Sequence, residues 1–349
     1  AVEDFDLDGD YDIIVTGGEA NIAYFINQGD GKFLDCGESA GLIHDADLSV
    51  GVSVADFDND GDRDVLLLNL GTNTLLQNLG DGSFQDVTTG SGLEGSFHSS
   101  GASWADLDND GLLDLIVANL ADEFDMRDWK LLGERSTIYR NLGDGKFQSF
   151  NESLPSGHLP VGSSYIAPLL DLDGDNRLDL FLTQEFGTIL QRNQIYQNIG
   201  AADDGTWLKW ENQSVTAGLK YPDHVMGMAI FDFNQDTLPE FFLTNLLDSK
   251  TGKEYLFQNN GGFEFEDVTE IYQVNGLVSS PDSGLYRTSS WAALNFDFDN
   301  DGDDDLYTVY GEHTGRNESL ENGCQMLNIT CASQPNALYQ NIDNSYFEE

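Results

Sequence analysis

Short apolar runs alternate with acidic stretches along the whole chain. The run from Val65 to Leu68, Val-Leu-Leu-Leu, directly follows an acidic stretch, and a comparable run follows five other acidic stretches. Short apolar runs rich in β-branched and aromatic residues, placed directly after a turn, are typical of buried strands. The pattern therefore predicts an all-β chain in which buried strands are separated by acidic loops.

A second apolar segment follows each of these strands and contains a tight turn. The clearest turn is Asn78-Leu79-Gly80-Asp81-Gly82, with apolar residues on both sides. Asparagine and glycine at these positions favour a hairpin, so each flank is predicted to be a strand. Each unit then supplies about four strands. The six segments are Tyr24 to Phe33, Leu75 to Phe84, Ile138 to Phe147, Ile195 to Trp207, Tyr255 to Phe263 and Leu338 to Phe347.

The six acidic stretches share a nine-residue template, DxDxDGxxD. Crowded carboxylates repel one another unless a cation lies among them, and calcium accepts about six to eight oxygen ligands. Positions 1, 3 and 5 supply side chains, position 7 a backbone carbonyl, and position 9 a carboxylate that can bind through both oxygens. Position 6 turns sharply, often with a positive φ, which favours glycine. The template therefore predicts five to six bound calcium ions.

The predicted ligands follow from the positions in the template. The side-chain ligands at positions 1, 3, 5 and 9 are Asp4, Asp6, Asp8 and Asp12; Asp56, Asp58, Asp60 and Asp64; Asp106, Asp108, Asp110 and Asp114; Asp171, Asp173, Asp175 and Asp179; Asp232, Asn234, Asp236 and Glu240; and Asp297, Asp299, Asp301 and Asp305. The carbonyl ligands at position 7 are those of Asp10, Asp62, Leu112, Arg177, Leu238 and Asp303. The fifth loop has β-branched Thr237 at the turn and Pro239 after it, so we expect this site to be the weakest or the most distorted.

An EF-hand begins in the same way, but it needs a glutamate at loop position 12 and a helix on each side. Position 12 here holds residues that cannot bind calcium through a side-chain carboxylate, and each lies in an apolar run. These residues are Val15, Leu67, Val117, Leu182, Leu243 and Thr308. The sites are therefore predicted to lie between two strands.

The loops begin 52, 50, 65, 61 and 65 residues apart, and a period of this size with four strands per unit is typical of a propeller. The chain resembles the FG-GAP and VCBS repeat family of calcium-binding β-propellers, which includes the heads of integrin α-subunits. The segment from Asn78 to Thr88, followed by Gly92-Leu93, is most similar to the branch that contains cartilage acidic protein, the ASPIC/UnbV branch. The resemblance covers essentially all 349 residues. It implies an all-β fold, a β-propeller of four-stranded antiparallel blades.

Six blades can be counted, whereas members of that family usually close with seven. We expect one propeller domain over residues 1–349, with insertions at 121–135 and 311–335. Both ends of the sequence are expected to continue in a longer protein, where a seventh blade would lie.

The net charge is −47, from 62 acidic residues against 15 Lys and Arg. This excludes the basic footprint that nucleic acid or anionic lipid requires. The predicted side-chain ligand positions 1, 3, 5 and 9 hold 23 of the acids, and six calcium ions would still leave a charge of about −35. The remaining acidity is interpreted as a solvated surface, with further weak cation binding or a basic partner as alternatives. No apolar run approaches the roughly 18 residues of a membrane-spanning helix.

Calcium sites of modest affinity would be largely empty in a resting cytosol, so the loops favour an extracellular location. Cys324 and Cys331 share one long insertion, where a disulfide is expected in an oxidising compartment. Cys36 is expected to be a small buried residue. Glycosylation sequons begin at Asn151, Asn212, Asn317 and Asn328.

Antiparallel connectivity sorts the loops onto two faces. Calcium loops and hairpin turns share one face and vary little, while the opposite face carries the insertions. Binding concentrates in variable loops on a rigid scaffold, so we expect a protein or glycan ligand on the opposite face. The alternative is that the insertions only pack against neighbouring blades. The candidate contacts are Phe124, Arg127, Trp129 and Arg135.

His98 and His224 each lie eight residues before the first ligand of the next loop. Imidazoles at the mouth of an axial channel could bind a transition metal or move protons, and unrelated exposed histidines are the alternative. Three functions remain open. The favoured one is a noncatalytic extracellular module for adhesion, matrix or cell-surface assembly. The others are a secreted polysaccharide lyase or hydrolase with a site at the channel, and a self-associating filament subunit.

Overall fold

The structure is a computed structural model, and it describes most of the chain. The described residues are 1–17, 20–42, 48–120, 123–125, 130–150, 154–155, 159–185, 191–203, 207–219, 224–245, 253–275, 277–280, 284–287, 290–310, 336–342 and 346–348. Several predictions fall outside these residues: the insertion 311–335 with the disulfide Cys324–Cys331, the sequons at Asn151, Asn317 and Asn328, and the contacts Arg127 and Trp129.

Each repeat contributes four antiparallel strands, A to D, in chain order. The first two repeats comprise β1 (Val2–Glu3), β2 (Asp12–Gly17), β3 (Ala20–Asn27) and β4 (Phe33–Asp35), then β5 (Leu48–Ala55), β6 (Asp64–Thr72), β7 (Thr74–Asn78) and β8 (Phe84–Asp86). The third comprises β9 (Ser96–Ala105), β10 (Asp114–Asn119), β14 (Thr137–Asn141) and β15 (Phe147–Ser149). The fourth comprises β17 (Leu169–Leu170), β18 (Asp179–Leu182), β19 (Gln194–Ala201) and β20 (Leu208–Asn212). The fifth and sixth comprise β21 (Met228–Phe231), β22 (Glu240–Leu243), β23 (Tyr255–Asn259) and β24 (Phe265–Asp267), then β27 (Ser290–Phe296), β28 (Asp305–Tyr310), β29 (Ala337–Ile342) and β30 (Tyr346–Glu348).

The remaining elements lie in the connections between these strands. They are β11 (Glu123–Asp125) paired with β12 (Lys130–Leu132), β13 (Glu134–Arg135) paired with β16 (Val161–Gly162), β25 (Leu277–Ser280) paired with β26 (Gly284–Arg287), and the single helical turns α1 (Ser214–Ala217) and α2 (Thr269–Tyr272). The insertion before the third strand C therefore contains a hairpin.

The predicted order A-B-C-D is confirmed in every repeat, and four repeats form separate four-stranded sheets. The second and third repeats differ, because β6 extends past its own partner. Its last residues pair with the start of β9, with Leu70 opposite His98 and Thr72 opposite Ser96, so the two repeats share one eight-stranded sheet. In the fifth repeat, strand D begins at Phe265, two residues later than the predicted Phe263.

Aromatic side chains from strand D pack against the preceding repeat. Phe84 meets Phe5 and Tyr24 edge-on, with ring centroids 5.8 Å away in both cases. Burying such a side chain stabilises the fold by roughly 1.5–3 kcal/mol. Phe33, the equivalent residue of the first repeat, is 46% exposed, so a neighbouring repeat provides this burial. Cys36 is a free thiol and only half-buried beside this core, whereas the sequence predicted full burial.

The chain divides into two compact units. The first comprises Ala1–Leu169 and Gln197–Glu211, and the second comprises Leu170–Tyr196 and Asn212–Glu349. Each unit has hydrophobic clusters of its own, which include Phe5 and Phe57 in the first unit and Phe233 and Phe241 in the second. Within the described residues, no helix has the length and apolar character needed to cross a membrane.

Candidate metal centres

Each acidic loop joins strand A to strand B and follows a common backbone path. All six residues at position 6 have a positive φ, as the glycine preference predicted, including Asn176 at 65° and Thr237 at 76°. A β-branched residue is strained in this region, so Thr237 is a true outlier. Position 4 is also left-handed, which the sequence analysis did not predict. Its residues are Leu7, Asn59, Asn109, Gly174, Gln235 and Asn300.

Backbone N–H groups orient the carboxylates within each loop. In the second loop, the two oxygens of Asp56 accept N–H groups from Asp60 and Gly61, both at 3.1 Å. Oδ1 of Asp58 accepts the Asp60 N–H at 3.3 Å, and Oδ1 of Asp60 accepts the Asp62 N–H at 3.0 Å. The same four bonds recur in the other loops. Each aspartate at positions 3 and 5 thus uses only one of its two oxygens in these four bonds.

Five loops bring three carboxylates together, with one oxygen from each lying within 4.8 Å of the others. Positions 1, 3 and 9 form the group in four of these loops: Asp56, Asp58 and Asp64; Asp106, Asp108 and Asp114; Asp171, Asp173 and Asp179; and Asp297, Asp299 and Asp305. The first loop uses positions 1, 3 and 5 instead, namely Asp4, Asp6 and Asp8. There Asp12 accepts a hydrogen bond from the Tyr24 hydroxyl at 3.2 Å.

The carboxylate at position 9 is buried and anchors the loop to two strands. Asp64 is 2% exposed, and its two oxygens accept N–H groups from Phe57 at 3.0 Å and Asn78 at 2.9 Å. Its oxygens keep further lone pairs, and binding of an ion through both of them remains a prediction, as do the carbonyl ligands at position 7. Asp64 therefore has a structural role whether or not an ion is bound.

Three of the carboxylates at position 9 are costly to ionise without a cation. Burial, and to a lesser extent the nearby carboxylates of the same loop, raise the pKa of Asp64 and of Asp114 to about 7. The same causes raise the pKa of Glu240 to about 8. A hard cation among these oxygens would offset both the burial and the repulsion. An all-oxygen donor set of carboxylates suits calcium better than a transition metal, so the residues fit the ion that the template predicts.

The fifth loop differs from the others in its side chains. Its backbone hydrogen bonds are retained, with the Asp236 and Thr237 N–H groups 2.9 and 2.8 Å from the Asp232 oxygens, so the path is not distorted. Among the described residues, no group of three carboxylates forms there. Nδ2 of Asn234 instead donates to Asp236 at 3.1 Å and to Glu240 at 3.3 Å. An amide therefore points towards the carboxylates that an ion would join.

An asparagine at the end of strand C ties successive repeats together, a role beyond that of a turn residue, which is all that the sequence pattern predicted. Nδ2 of Asn78 donates to the Arg63 carbonyl of its own loop at 3.1 Å and to the Phe5 carbonyl of the preceding loop at 2.8 Å. Asn141 makes the same pair of bonds to Leu113 and Phe57. Its recurrence six residues before the strand D aromatic is the signal that could have identified it.

The repeat architecture matches a family model described as an FG-GAP-like repeat, over residues 4–67, 56–117 and 171–243. These matches include more than half of the chain and begin on the first residue of an acidic loop. The chain belongs to the FG-GAP-like repeat family. The predicted family is thereby confirmed, although the match does not select a branch. No curated protein matches the chain.

Solved structures with similar folds have little sequence in common with these FG-GAP-like repeats. An Agrocybe aegerita lectin that recognises non-reducing terminal N-acetylglucosamine is 16% identical, with a TM-score of 0.53 over 100% of this chain and 78% of its own. The V. cholerae biofilm matrix protein Bap1 is 11% identical, with a TM-score of 0.45 over 99% and 69%. Bacillus licheniformis rhamnogalacturonan lyase PL11 is 13% identical, with a TM-score of 0.45 over 88% and 54%. The lectin match and the antiparallel four-stranded sheets together show that the fold is a β-propeller.

Other predicted site residues lie away from the acidic loops. His98 is half-buried in β9, and its backbone N–H donates to Glu134 at 2.9 Å. His224 is 7% exposed. A channel-mouth site made from these two histidines remains a prediction, and His44, His158 and His313 lie outside the described residues. Asn212, at the sequon, is exposed, and its amide donates to Gln194 at 3.1 Å.

A polar cleft of about 720 Å³ opens beside the second loop. The loop contributes Asp58 and Asp60, strands β7 and β8 contribute Gln77 and Gln85, and Lys146 lies at the hairpin of the third repeat. The cleft lies at the end of the sheet that carries the acidic loops and hairpin turns, which we call the metal edge. The opposite edge carries the connections from strand B to strand C and from one repeat to the next.

Proposed function

We propose that this chain is an extracellular, calcium-stabilised binding module that recognises a glycan or protein ligand and catalyses no reaction. The observation that supports calcium most directly is the set of five carboxylate triads, each with oxygens within 4.8 Å. Three carboxylates held this close stabilise a fold only when a cation offsets their repulsion. Each ion would then join strand A to strand B of its repeat.

Recognition is proposed at the opposite edge, where the repeats differ from one another. The insertion between β10 and β14 contains the hairpin β11–β12 and the strand β13, which pairs with β16 from the connection that follows β15, so it adds paired strands to that edge. Arg135 lies in β13 and is exposed. In so acidic a chain, an exposed arginine offers a rare positive group to a carboxylate or hydroxyl-rich ligand.

The binding proposal can be tested with an array of glycans that includes terminal N-acetylglucosamine, the sugar recognised by the similar lectin. The wild-type chain, loaded with calcium, is expected to bind at least one glycan. Arg135→Ala at the opposite edge should lower that binding, while Gln85→Ala in the cleft of the metal edge should leave it unchanged. Loss of binding only in Gln85→Ala would move recognition to the metal edge. Absence of binding to every glycan would leave a protein as the proposed ligand, to be sought by cross-linking at residue 135.

The noncatalytic part of the proposal has a separate test. Incubation with acidic polysaccharides in calcium should produce no unsaturated or reducing ends above the level of a heat-denatured control. Cleavage that is lost in a His98→Ala or His224→Ala variant would favour the enzyme.

Sedimentation velocity tests self-association, because a filament subunit would form larger species as its concentration rises.

A further inference from the structure

The six metal loops differ in what lies against the carboxylate at position 3. In each loop, Oδ1 at this position accepts the N–H of position 5, so the second oxygen or nitrogen determines what else can bind. In the second loop, Oδ2 of Asp58 accepts the neutral amide of Gln77 at 2.6 Å. In the sixth loop, Oδ2 of Asp299 accepts the amide of Gln340 at 2.5 Å.

The third loop has a charged group at the same place. Arg140 occupies the strand C position immediately before the asparagine that recurs at the end of this strand, as Gln77 and Gln340 do in their repeats. Its Nη2 lies 2.8 Å from Oδ2 of Asp108 and 3.3 Å from Oδ2 of Asp110. The guanidinium therefore binds the ligand oxygens of positions 3 and 5 that the loop backbone leaves available.

Trp207 contacts both the guanidinium and Asp108. The Arg140 guanidinium lies over the ring of Trp207, 5.8 Å from the centroid, and the indole Nε1 of Trp207 donates to Oδ2 of Asp108 at 2.5 Å. The side chain of Asp108 is 12% exposed and that of Arg140 is 33% exposed, so water screens the pair only in part. Arginine does not lose its charge in proteins. The third loop therefore carries a permanent cation of its own.

We infer that Arg140 sets the calcium affinity of the third loop below that of the second, so that the chain binds calcium in at least two affinity classes. This inference rests on the proposed calcium binding. An ion at 2.3–2.6 Å from the Asp108 oxygen would lie about 5 Å from the guanidinium, and like charges at that separation repel. When the site is empty, Arg140 offsets the carboxylate repulsion, so this loop needs calcium less than the second loop does.

Terbium luminescence provides a readout for the third loop, because Trp207 touches Asp108 and would sensitise a terbium ion bound there. Calcium is then titrated against bound terbium. Arg140→Gln places at the third loop the glutamine that the second and sixth loops have. Calcium should then displace terbium at an about tenfold lower calcium concentration. Arg140→Lys keeps a positive charge and should behave more like the wild-type chain. Trp207→Phe should remove the signal and so verifies the assignment to this loop.

The reciprocal variant protects the test against a folding defect in Arg140→Gln. Gln77→Arg introduces the charge at the second loop and should weaken calcium binding there by about tenfold in calorimetric titrations. Equal affinities in wild-type and Arg140→Gln chains that both fold, with no weakening in Gln77→Arg, would overturn the inference. Absence of calcium binding in every variant would instead overturn the proposed function.

Discussion

The two edges of the repeats are built in different ways. At the metal edge, the position 2 N–H reaches the closing carboxylate at 2.9 to 3.2 Å in all six loops. At the opposite edge, the second and third repeats share a serine–asparagine pair, Ser49 with Asn69 at 2.8 Å and Ser99 with Asn119 at 2.9 Å, whereas the contact between the fifth and sixth repeats is the hydrogen bond from Tyr310 to Glu254 at 3.0 Å. An ion demands one geometry, whereas hydrogen bonds can be satisfied in many ways. Changes of side chain at the opposite edge therefore cost little stability, which suits a surface for recognition.

The largest expected effect comes from removing the closing carboxylate at the metal edge. Asp64→Ala would leave the buried N–H groups of Phe57 and Asn78 without an acceptor and would remove an ion ligand, a loss of about 4 kcal/mol. Ser49→Ala at the opposite edge removes one hydrogen bond and should cost about 1 kcal/mol. Urea denaturation in saturating calcium measures both. Equal losses would mean that the metal edge has no special role.

The second prediction concerns a buried carboxyl group at the opposite edge. Glu254 is 1% exposed, and Tyr310, which donates to it, lies 3.2 Å from the Tyr339 hydroxyl. Burial raises the pKa of Glu254 from 4.5 to about 8. The folded state therefore keeps a proton that the unfolded state loses between these two pH values, so stability falls as the pH rises from 4.5 to 8.

Glu254→Gln removes this titration while keeping an acceptor for Tyr310. The free energy of unfolding of the variant should rise relative to that of the wild type as the pH rises, by on the order of 3 kcal/mol at pH 8. Free energies of unfolding, measured for both proteins from pH 4.5 to 8 in saturating calcium, provide the comparison. Parallel curves would show that Glu254 does not titrate with folding.

The third prediction separates bonds between repeats from bonds within one. Asn78→Ala removes a buried bond to the Phe5 carbonyl of the preceding repeat and a partly buried bond to the Arg63 carbonyl, and should cost about 2 kcal/mol. Asn27→Ala removes a bond to the Tyr11 carbonyl in an exposed setting and should cost well under 1 kcal/mol. If both variants unfold at the same urea concentration, the hydrogen bond from Asn78 to the preceding repeat contributes nothing to stability.

The smallest expected effect concerns the fifth loop. Asn234→Asp gives this loop four acidic side chains, as its neighbours have, and calcium should then stabilise the chain by about 1 kcal/mol more than it stabilises the wild type. In EDTA the variant should be the less stable of the two, because the new carboxylate faces Asp236 and Glu240. Asp58→Asn in the second loop is the matched opposite change. An Asn234→Asp chain that gains nothing from calcium would show that Thr237 or Pro239, and not the amide, limits the site.

The repeat pattern predicted where the acidic loops lie, because the spacing of Asp56, Asp58 and Asp64 suits a bound ion, and the structure brings these three carboxylates together. It did not predict the two hydrogen bonds that Nδ2 of Asn78 donates, because an asparagine before glycine is explained equally well as a turn residue. The joined sheet of the second and third repeats was also missed. Its cause is the extra length of β6 up to Thr72, and nothing in an apolar run shows which strand its far end will meet. The burial of Glu254 was not predicted, because nothing in the sequence distinguishes this one acid from the other acidic residues among the 62.

The central claim is that calcium fastens the metal edge of the folded chain. The most direct measurement strips the chain of metal, restores calcium in steps, and records bound ions per chain together with the melting temperature. We expect at least three ions to bind, because five carboxylate triads are present and an arginine lies against a carboxylate in two of these loops, Arg140 on Asp108 in the third and Arg177 on Asp175 in the fourth. The melting temperature should rise by about 10 °C or more. Calcium that does not bind, or a melting temperature that calcium leaves unchanged, would contradict the account.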